Sequence, residues 1–432
     1  MTFAFHTLGC KVNQYDSQAM SEILIRAGYT QVSFQDEADI YLINTCTVTG
    51  TGDKKSLQLA RRIRREHPNS VLVLCGCMAQ KQGDLLLSET GADLVLGTQY
   101  RDRIAELLSQ VIRDHKSLCA VSPMTSGMPF EPLNISKMSG HTRADVKIQE
   151  GCDNRCTYCI IPSVRGPVRS RPLRDLRSEV IRLRDAGFSE IVLTGIHLAS
   201  YGKDFPGSGI SLLDAIRTVH EIDGIERVRL GSLEPVIATD PFCRALSDLP
   251  RVCPQFHLAL QSGSNTVLAR MRRRYNTGQY LAAVERIRGV YPKAAFTTDI
   301  LTGFPGETDR EYEETREMIR RVGFARIHVF PFSARADTPA AEMPDQISRA
   351  VKEQRTRELI ALGNEVAQKY LESWLNQHSV ILLEEKKLGL WEGYTPEYIR
   401  VTVPPDFEGE SGKLVPVRLT GYTSEGMTAE PI

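Results

Sequence analysis

A β-strand pattern followed by a helical pattern recurs six times in the central part of the chain, and this repetition limits the possible folds strongly. The strand candidates are residues 145–149, 190–194, 227–230, 255–260, 296–301 and 326–330. Helical patterns occur between them, for example at residues 173–186, 212–222 and 309–322. This alternation predicts a barrel or an open partial barrel of parallel strands, with function at the carboxyl ends of the strands.

Three cysteines, Cys152, Cys156 and Cys159, form a C-x3-C-x2-C loop directly after the first of these strands. Three thiolates leave one coordination position of a metal centre free, as in a catalytic iron–sulfur cluster. Structural zinc is the alternative, although zinc sites usually close with a fourth Cys or His at short spacing. Here the next His is His197 and the next Cys is Cys243. The spacing therefore favours an iron–sulfur cluster.

The first part of the chain, about residues 1–115, also alternates strand and helix patterns. The strand candidates are residues 2–8, 38–45, 70–74 and 92–96. They predict a doubly wound parallel sheet. Cys10, Cys46 and Cys77 each follow a strand, so we expect them in one crevice at the carboxyl ends of the sheet. Three unrelated buried thiols are the alternative, since free Cys is a common core residue. Cys75 lies nearer its strand and is interpreted as core.

Polar or glycine-bearing motifs follow the later strands of the central part. They lie at residues 194–197, 231–235, 261–264 and 302–308. A single glycine after a strand usually marks only a turn. Together, the four motifs outline one pocket that faces the cysteine loop, and exposed backbone groups there would suit a small polar cofactor.

Arginine is clustered locally, although 53 basic and 53 acidic residues give the whole chain a formal net charge of zero. The first cluster contains Arg165, Arg169, Arg171, Arg174, Arg177, Arg182 and Arg184, and the second contains Arg270, Arg272, Arg273 and Arg274. A helix with Arg61, Arg62, Arg64 and Arg65 is similar. Each cluster is interpreted either as a solvated helix face or as a surface that contacts a phosphate backbone and weakens with salt.

The last part of the chain begins with a long helical pattern at residues 346–376. Short β-rich stretches then occur at residues 379–383, 398–403 and 414–419, separated by Gly and Pro. They predict a small all-β barrel of the five-stranded, oligonucleotide-binding (OB-like) type. Nearby acids outnumber bases, so contact with RNA would depend on shape or on stacking through Tyr394 and Tyr398. A structural cap is the alternative.

The apolar and charged fractions are ordinary for a globular protein, and the chain contains 10 cysteines in 432 residues. The N-terminus lacks a signal-peptide pattern, and no apolar run approaches the length of a membrane span. We therefore expect a cytoplasmic protein without membrane contact. In that compartment, many cysteines indicate metal or redox chemistry rather than disulfides.

The segment from Cys152 to Gly166, CDNRCTYCIIPSVRG, resembles the loop of the radical S-adenosylmethionine (SAM) methylthiotransferases, and the resemblance extends over the full chain. Residues 6–15, HTLGCKVNQY, are similar to the subgroup that acts on N6-threonylcarbamoyladenosine in tRNA. The resemblance implies three domains. They are an N-terminal methylthiotransferase domain at 1–115, a radical SAM core with a partial (β/α)6 barrel at 138–368, and a TRAM domain at 371–432.

The resemblance also implies two 4Fe-4S clusters. Cys152, Cys156 and Cys159 would hold the cluster that binds and cleaves SAM. Cys10, Cys46 and Cys77 would hold an auxiliary cluster that carries the sulfur to be transferred, with Cys77 rather than Cys75 because Met-Ala-Gln follows it. The residues that fall where radical SAM barrels contact the cofactor are Gly195, Ser232, Glu234 and Gln261.

The implied reaction is methylthiolation of carbon 2 of N6-threonylcarbamoyladenosine at tRNA position 37, giving 2-methylthio-N6-threonylcarbamoyladenosine. An aromatic C–H bond has no acidic proton for a general base, so a radical is needed. The implied partners are the tRNA anticodon loop, SAM and an electron donor such as flavodoxin or ferredoxin. Alternatives are the same chemistry on N6-isopentenyladenosine or on an aspartate of ribosomal protein S12. A non-catalytic, metal-containing RNA-binding protein is the alternative from another class.

Overall fold

The N-terminal part of the computed structural model, which describes residues 1–404 and 407–432, contains a parallel β-sheet. Its strands are β1 (Thr2–Thr7), β2 (Thr30–Val32), β3 (Ile40–Thr45), β4 (Val71–Gly76), β5 (Leu94–Leu96) and β6 (Leu118–Ala120). They pair in the order β2-β1-β3-β4-β5-β6, and every pair is parallel. The four predicted strands are present. The two strands that were not predicted, β2 and β6, have three residues each.

Helices cover both faces of this sheet. They are α1 (Lys11–Arg26), α2 (Gly50–Glu66), α3 (Cys77–Gln82), α4 (Asp84–Thr90) and α5 (Ile104–Asp114), with a 3-10 turn at Arg101–Arg103. Neighbouring residues of β3 enter different cores, Leu42 on one face and Tyr41 and Ile43 on the other. A strand buried on both faces reads as a continuous apolar run. The structure confirms the predicted doubly wound sheet.

The chain reverses the direction of strand addition at β1, since β2 lies on one side of it and β3 on the other. Loops that leave the carboxyl ends of two such strands diverge and open a crevice, which is where ligands bind in doubly wound sheets. Cys10 follows β1 and Cys46 follows β3. The topology therefore places two of the predicted ligand cysteines at the switch point.

The central part contains six parallel strands and one two-residue antiparallel strand in two connected sheets. The strands are β7 (Arg143–Glu150), β8 (Arg169–Ser170), β9 (Glu190–Gly195), β10 (Arg227–Leu230), β11 (Gln255–His257), β12 (Ala295–Thr302) and β13 (Arg326–Pro331). The sheet orders are β10-β9-β7-β8 and β11-β12-β13. Only β8 is antiparallel to its neighbour among these strands. Isolated bridges, including Leu233 with Leu258, join the two sheets. The predicted partial (β/α)6 barrel is confirmed.

Helices pack around the outside of this barrel. They are α6 (Ile161–Arg165), α7 (Leu173–Asp185), α8 (Leu212–His220), α9 (Asp240–Ser247), α10 (Asn265–Arg270), α11 (Thr277–Val290), α12 (Asp309–Val322) and α13 (Pro339–Glu342), with 3-10 turns at Leu198–Ser200 and Pro235–Ile237. Capping boxes fix two helix starts, Asn276 with Gln279 and Thr308 with Glu311. The helices bury one contiguous apolar core against β7, β9 to β12.

The C-terminal part forms a small closed barrel after a long helix, α14 (Arg349–Glu372). Its strands are β14 (His378–Lys387), β15 (Leu390–Tyr394), β16 (Arg400–Val403), β17 (Leu414–Thr423) and β18 (Gly426–Pro431). Within the described residues they close in the order β14-β15-β16-β18-β17. Trp374 packs into the barrel core with Ile381 and Val401. The predicted five-stranded barrel is confirmed.

Tyr394 and Tyr398 lie where this small barrel meets the central part. Their rings stack on each other with centroids 4.7 Å apart. The Arg143 guanidinium lies 4.8 Å from the Tyr394 ring, and that of Arg229 lies 4.7 Å from the Tyr398 ring. Arg227 also donates to the Tyr394 carbonyl oxygen at 2.9 Å. The two rings therefore pack against the central part and do not form the free, RNA-stacking surface that the sequence suggested.

No helix in the described parts of the chain combines the length and apolarity needed to cross a membrane.

Candidate metal centre

The first cysteine trio lies at the carboxyl ends of three adjacent strands. Cys10 is the residue before α1, Cys46 follows β3, and Cys77 begins α3 directly after β4. A Cβ atom on Gly9 would lie 3.2 Å from the Cys46 Sγ, so only glycine lets the two loops approach this closely. Burial, with smaller contributions from the neighbouring Cys77 and Cys10, raises the pKa of Cys46 to about 11. The three thiols therefore lie near one another at one edge of the sheet.

The second trio lies in the loop between β7 and α6. The Cys152 backbone N–H donates to the Gly166 carbonyl oxygen at 2.9 Å and closes the loop. The Asn154 N–H points at the Cys152 Sγ from 3.4 Å. Burial raises the pKa of Cys152 to about 11 and that of Cys159 to about 12. As free thiols these groups keep their protons at neutral pH, and a bound metal would displace them.

The two trios meet at the junction of the first two domains. Cys77 belongs to one buried apolar cluster with Ile160 and Val164, and Ile160 is the residue after Cys159. A segment after β13 also joins the loops of both trios. Its Ser333 hydroxyl accepts from the Gly50 N–H at 3.2 Å, and its Ala340 N–H donates to the Thr157 carbonyl oxygen at 2.9 Å.

Arg165 crosses this junction, completely buried. Its Nε donates to the Cys77 Sγ at 3.2 Å. Its Nη1 donates to Asp16 at 3.1 Å and to Glu150 at 2.5 Å, and its Nη2 donates to Asn13. One side chain therefore connects the helix that follows the second trio with a sulfur of the first.

The interpretation of the first arginine cluster as a surface is wrong for three of its members. Arg165, Arg169 and Arg171 are 0%, 4% and 3% exposed. Arg169 lies 3.8 Å from Glu150, and Arg171 forms a buried ion pair with Glu179. These side chains are neither solvated nor available to a phosphate backbone, because buried carboxylates from other elements pair with them.

The second arginine cluster is divided between the site and the surface. Arg273 Nη1 lies 3.1 Å from the Cys156 Sγ, and its Nη2 lies 2.6 Å from the Glu234 carboxylate. Arg272 and Arg274 point outward and are exposed. Arg270 pairs with a glutamate on α12 at 2.8 Å. The cluster thus supplies one residue to the cysteine loop, and its exposed members flank that residue.

Glu234 is the predicted cofactor residue with the most direct link to the cysteine loop. Its carboxylate accepts from the Asn154 side chain at 3.1 Å and lies 2.9 Å from the His197 Nε2. Burial alone would raise the pKa of Glu234, but the hydrogen bond from His197 and the charge of Arg273 outweigh it and lower the pKa to about 2. The carboxylate is therefore ionised at neutral pH and fixed beside the loop.

Gly195 also borders the loop, whereas no such contact is found for Ser232 or Gln261 among the described residues. A Cβ atom on Gly195 would lie 3.0 Å from the Gln149 side chain, and Gln149 donates to the Gly151 carbonyl oxygen at 2.8 Å. Ser232 is exposed. Gln261 has a positive φ of 67° and pairs with the backbone of β12. Among the described residues, no hydrogen bond joins these last two side chains to the cysteine loop.

The donor set suits an iron–sulfur cluster. In the described parts of the chain, no three His, Cys, Asp or Glu side chains converge as ligands of one metal ion. The two trios instead present soft thiol ligands, of which Cys77 and Cys156 are buried and Cys10 is exposed. Backbone or guanidinium N–H groups approach Cys77, Cys152 and Cys156, as expected where hydrogen bonds tune cluster sulfurs. The residues present therefore fit such a cluster at each trio.

Several residues of the junction were not singled out from the sequence. Asn13 donates from its side chain to the carbonyl oxygens of Leu8 at 2.7 Å and Thr45 at 3.1 Å. Asn13 and Asp16 follow Cys10 by three and six residues on α1. Two polar residues at near-helical spacing on a buried helix are a signal that would have identified this face.

Two family models match the chain. One, described as "Uncharacterized protein family UPF0004", covers residues 2–97, and the Radical SAM superfamily covers residues 146–319. The chain resembles a solved structure of the radical SAM methyltransferase TsrM from Kitasatospora setae with cobalamin and a [4Fe-4S] cluster bound. The TM-score is 0.57 at 12% identity, over 79% of this chain and 77% of the other. That similarity supports the fold.

Two curated relatives extend over almost the whole chain. The threonylcarbamoyladenosine tRNA methylthiotransferase MtaB of Bacillus subtilis is 40% identical over 98% of this chain and 94% of its own length. The tRNA-2-methylthio-N(6)-dimethylallyladenosine synthase of Pelotomaculum thermopropionicum is 36% identical over 96% and 94%. With two cysteine trios on facing loops and relatives of this identity, the chain belongs to the radical SAM methylthiotransferase family.

Proposed function

We propose that this protein is a tRNA methylthiotransferase that converts N6-threonylcarbamoyladenosine at tRNA position 37 to its 2-methylthio derivative. The observation that carries the proposal is the packing of Cys77 against Ile160, the residue that follows Cys159. Sulfur from one trio and a radical from the other can reach one substrate atom only if the two trios share a cavity. The name of the Bacillus subtilis relative supplies the nucleoside.

The residues assigned to the clusters are the two cysteine trios, Cys10, Cys46 and Cys77, and Cys152, Cys156 and Cys159. With SAM bound, the clusters would supply a 5′-deoxyadenosyl radical and the sulfur for transfer. The chain's own task is to orient the reactants and exclude water. Glu234, Gly195, Ser232 and Gln261 are assigned to the SAM pocket. Tyr158, within the cysteine loop, packs against Phe304 and is assigned to shield that side of the loop from water.

The proposal includes three partners: SAM, a tRNA and a protein that donates electrons, such as flavodoxin or ferredoxin. The target adenosine is adjacent to the anticodon and lies in a loop, so its base can leave the stack at modest cost. This assignment places the protein in the cytoplasm, where its tRNA substrate is modified. The three domains are proposed at residues 1–115, 138–368 and 371–432.

Nucleoside mass spectrometry of tRNA tests the proposal. A strain that lacks this gene should contain N6-threonylcarbamoyladenosine without its 2-methylthio derivative, and the wild-type gene should restore the derivative. Cys77→Ala should not restore it, whereas the matched variant Cys75→Ala should, because Cys75 is a core thiol that contacts the Ile43 carbonyl oxygen. An unchanged level of the derivative in the deletion strain contradicts the proposal.

N6-dimethylallyladenosine (isopentenyladenosine) is the second candidate substrate, favoured by the 36% identity to the Pelotomaculum enzyme. The chain should be expressed separately in strains that lack each type of methylthiotransferase, including the one acting on ribosomal protein S12. Restoration of 2-methylthio-N6-threonylcarbamoyladenosine alone supports the first assignment. Restoration of another product replaces it.

The metal content distinguishes the enzyme from a non-catalytic RNA-binding protein. Anaerobically reconstituted protein should contain about eight irons per chain, four for each cluster. Zinc in place of iron, together with tRNA binding and no modified nucleoside, would favour the non-catalytic alternative.

A further inference from the structure

A buried ion network lies between the first cysteine trio and the barrel, and its charges do not balance. Its carboxylates are Asp16, Glu131 and Glu150, and its cations are Arg101, Lys147, Arg165 and Arg169. Three carboxylates against four cations leave one excess positive charge. A buried charge is costly unless it is paired, so the excess needs a further anionic partner.

Arg165 is the cation whose remaining contact is a sulfur atom. Its Nη1 and Nη2 atoms bind Asp16, Glu150 and Asn13, and its Nε is 3.2 Å from the Cys77 Sγ. Arg101 and Lys147 donate to carboxylates of the network, whereas Arg169 donates to the Arg165 carbonyl oxygen and its Nε has no hydrogen-bond partner among the described residues. Arg165 therefore links the surplus positive charge of the network to a sulfur of the first trio.

An arginine also contacts a sulfur of the second trio, but a carboxylate balances its charge. Arg273 approaches the Cys156 Sγ at 3.1 Å and forms an ion pair with Glu234 at 2.6 Å. One cation faces one carboxylate there, so little net charge remains for the sulfur. The two trios thus differ in the electrostatic field at their thiolates, although each has one guanidinium contact.

We propose that Arg165 is a positioning residue that sets the auxiliary cluster apart from the SAM-binding cluster by directing a buried positive charge at Cys77. The inference rests on the proposed function, because it needs a cluster on Cys10, Cys46 and Cys77. A nearby positive charge stabilises the reduced, more negative form of a cluster and raises its reduction potential. Hydrogen bonding to Cys77 also fixes α6, and with it the loop of the second trio, against the first.

Potentiometric titration of the full-length holoprotein with dithionite, followed by electron paramagnetic resonance, tests this inference. The signal that changes when SAM is added belongs to the cluster of the second trio, and the SAM-insensitive signal belongs to the auxiliary cluster. In Arg165→Gln, the equilibrium constant for reduction of the cluster with the SAM-insensitive signal should fall at least tenfold. This corresponds to a negative shift of its reduction potential by about 59 mV for one electron. The SAM-sensitive signal should keep its potential.

Arg169→Gln is the matched control. Arg169 is buried in the same network and lies 3.8 Å from Glu150, but its hydrogen bond goes to the Arg165 carbonyl oxygen. The Arg169→Gln substitution removes the same charge at a greater distance from the Cys77 sulfur. We therefore expect the equilibrium constant for reduction of the auxiliary cluster to change less than threefold. Equal shifts in both variants, or unchanged potentials in loaded Arg165→Gln, overturn the inference.

Arg165→Lys keeps the inference testable if Arg165→Gln does not retain its clusters. Lysine preserves the charge that Asp16 and Glu150 need, but it has one donor atom and cannot reach all four partners. A loaded Arg165→Lys protein should show a smaller shift in the same direction for the SAM-insensitive signal alone. An unchanged potential overturns the role of Arg165. A wild-type protein with about eight irons but no SAM-insensitive signal contradicts the proposed auxiliary cluster itself.

Discussion

Gly151 lies so close to Pro167 that a Cβ atom on Gly151 would stand 1.9 Å from the Pro167 carbonyl oxygen. The φ angle of Gly151 is also 74°, a conformation that other residues adopt with difficulty. Backbone atoms, not a flexible side chain, occupy the space where that Cβ atom would lie. Because Cys152 is the next residue, the contact fixes where the second cysteine trio begins.

We predict that Gly151→Ala prevents the second trio from holding its cluster. The loop must move away from Pro167 to accept a methyl group, so the protein should bind about four irons in place of about eight. Gly207→Ala is the control, since Gly207 has a similar φ of 70° and open space around its Cβ position. Iron analysis after anaerobic reconstitution checks both variants. Full iron content in Gly151→Ala would show that the loop tolerates the displacement.

A second prediction concerns Cys75 and Cys77, which lie two residues apart but differ in role. Cys75 is a core thiol, and Cys77 is a proposed cluster ligand. Cys77→Ala should lose one cluster, about four irons, and Cys75→Ala should keep both. Burial raises the pKa of Cys75, so it stays a protonated core thiol whose Sγ is 3.6 Å from the Ile43 carbonyl oxygen. Iron content and the absorption of the clusters measure the difference. Loss of iron in Cys75→Ala would exchange the roles of the two residues.

The joint between the central barrel and the small C-terminal barrel gives a third prediction. Glu190 is completely buried and binds Arg229 at 2.8 Å and Arg227 at 3.3 Å. Removing one partner of a buried ion pair leaves the other charge uncompensated. Glu190→Ala should therefore lower the free energy of unfolding by about 3–5 kcal/mol. Denaturant titration measures this loss.

The exposed ion pair of Glu313 with Arg316, at 2.7 Å, is the control for that change. Glu313→Ala should cost no more than about 1 kcal/mol, because water screens the pair and compensates the free charge. Similar losses in both variants would mean that the burial of Glu190 does not determine its contribution.

The sequence predicted the strand-end cysteines because two local signals coincide, a β-rich run and a thiol directly after it. Parallel topology then brings distant strand ends together, which is how Cys10, Cys46 and Cys77 were placed in one crevice. The strands β2 and β6 were missed because they have three residues each and none of these is fully buried, whereas the equally short β5 is fully buried and shows as an apolar run. Local pattern therefore predicted the architecture except where short elements are not buried.

The role of Arg165 could not be predicted in the same way. Its charge suggested a surface, but its burial depends on Asp16, 149 residues away in sequence, and on Glu150 across the cysteine loop. No periodicity records which acids will meet which bases in a domain interface. Arg273 was misjudged for the same reason, because Glu234 pairs with it from another strand end.

A fourth prediction uses Glu311, at the start of α12, as a source of pH-dependent stability. Burial would raise the pKa of Glu311, but hydrogen bonds from Arg270 and Thr266 and from the Thr308 N–H outweigh it and lower the pKa to about 2. The pKa in the folded protein is thus below the ordinary value of 4.5. By linkage, the stabilisation is complete above pH 4.5 and is lost as the pH falls towards 2.

Glu311→Gln removes this titration and keeps the capping geometry. The difference in thermal midpoint between the wild-type protein and this variant should be largest above pH 5 and should shrink as the pH falls through about 4 and 3. Differential scanning fluorimetry across this range, with Glu317→Gln at an exposed position of the same helix as control, measures the effect. Glu317→Gln should give a small difference at every pH. A pH-independent difference for Glu311→Gln would mean that Arg270 and the helix start do not depend on the ionised carboxylate.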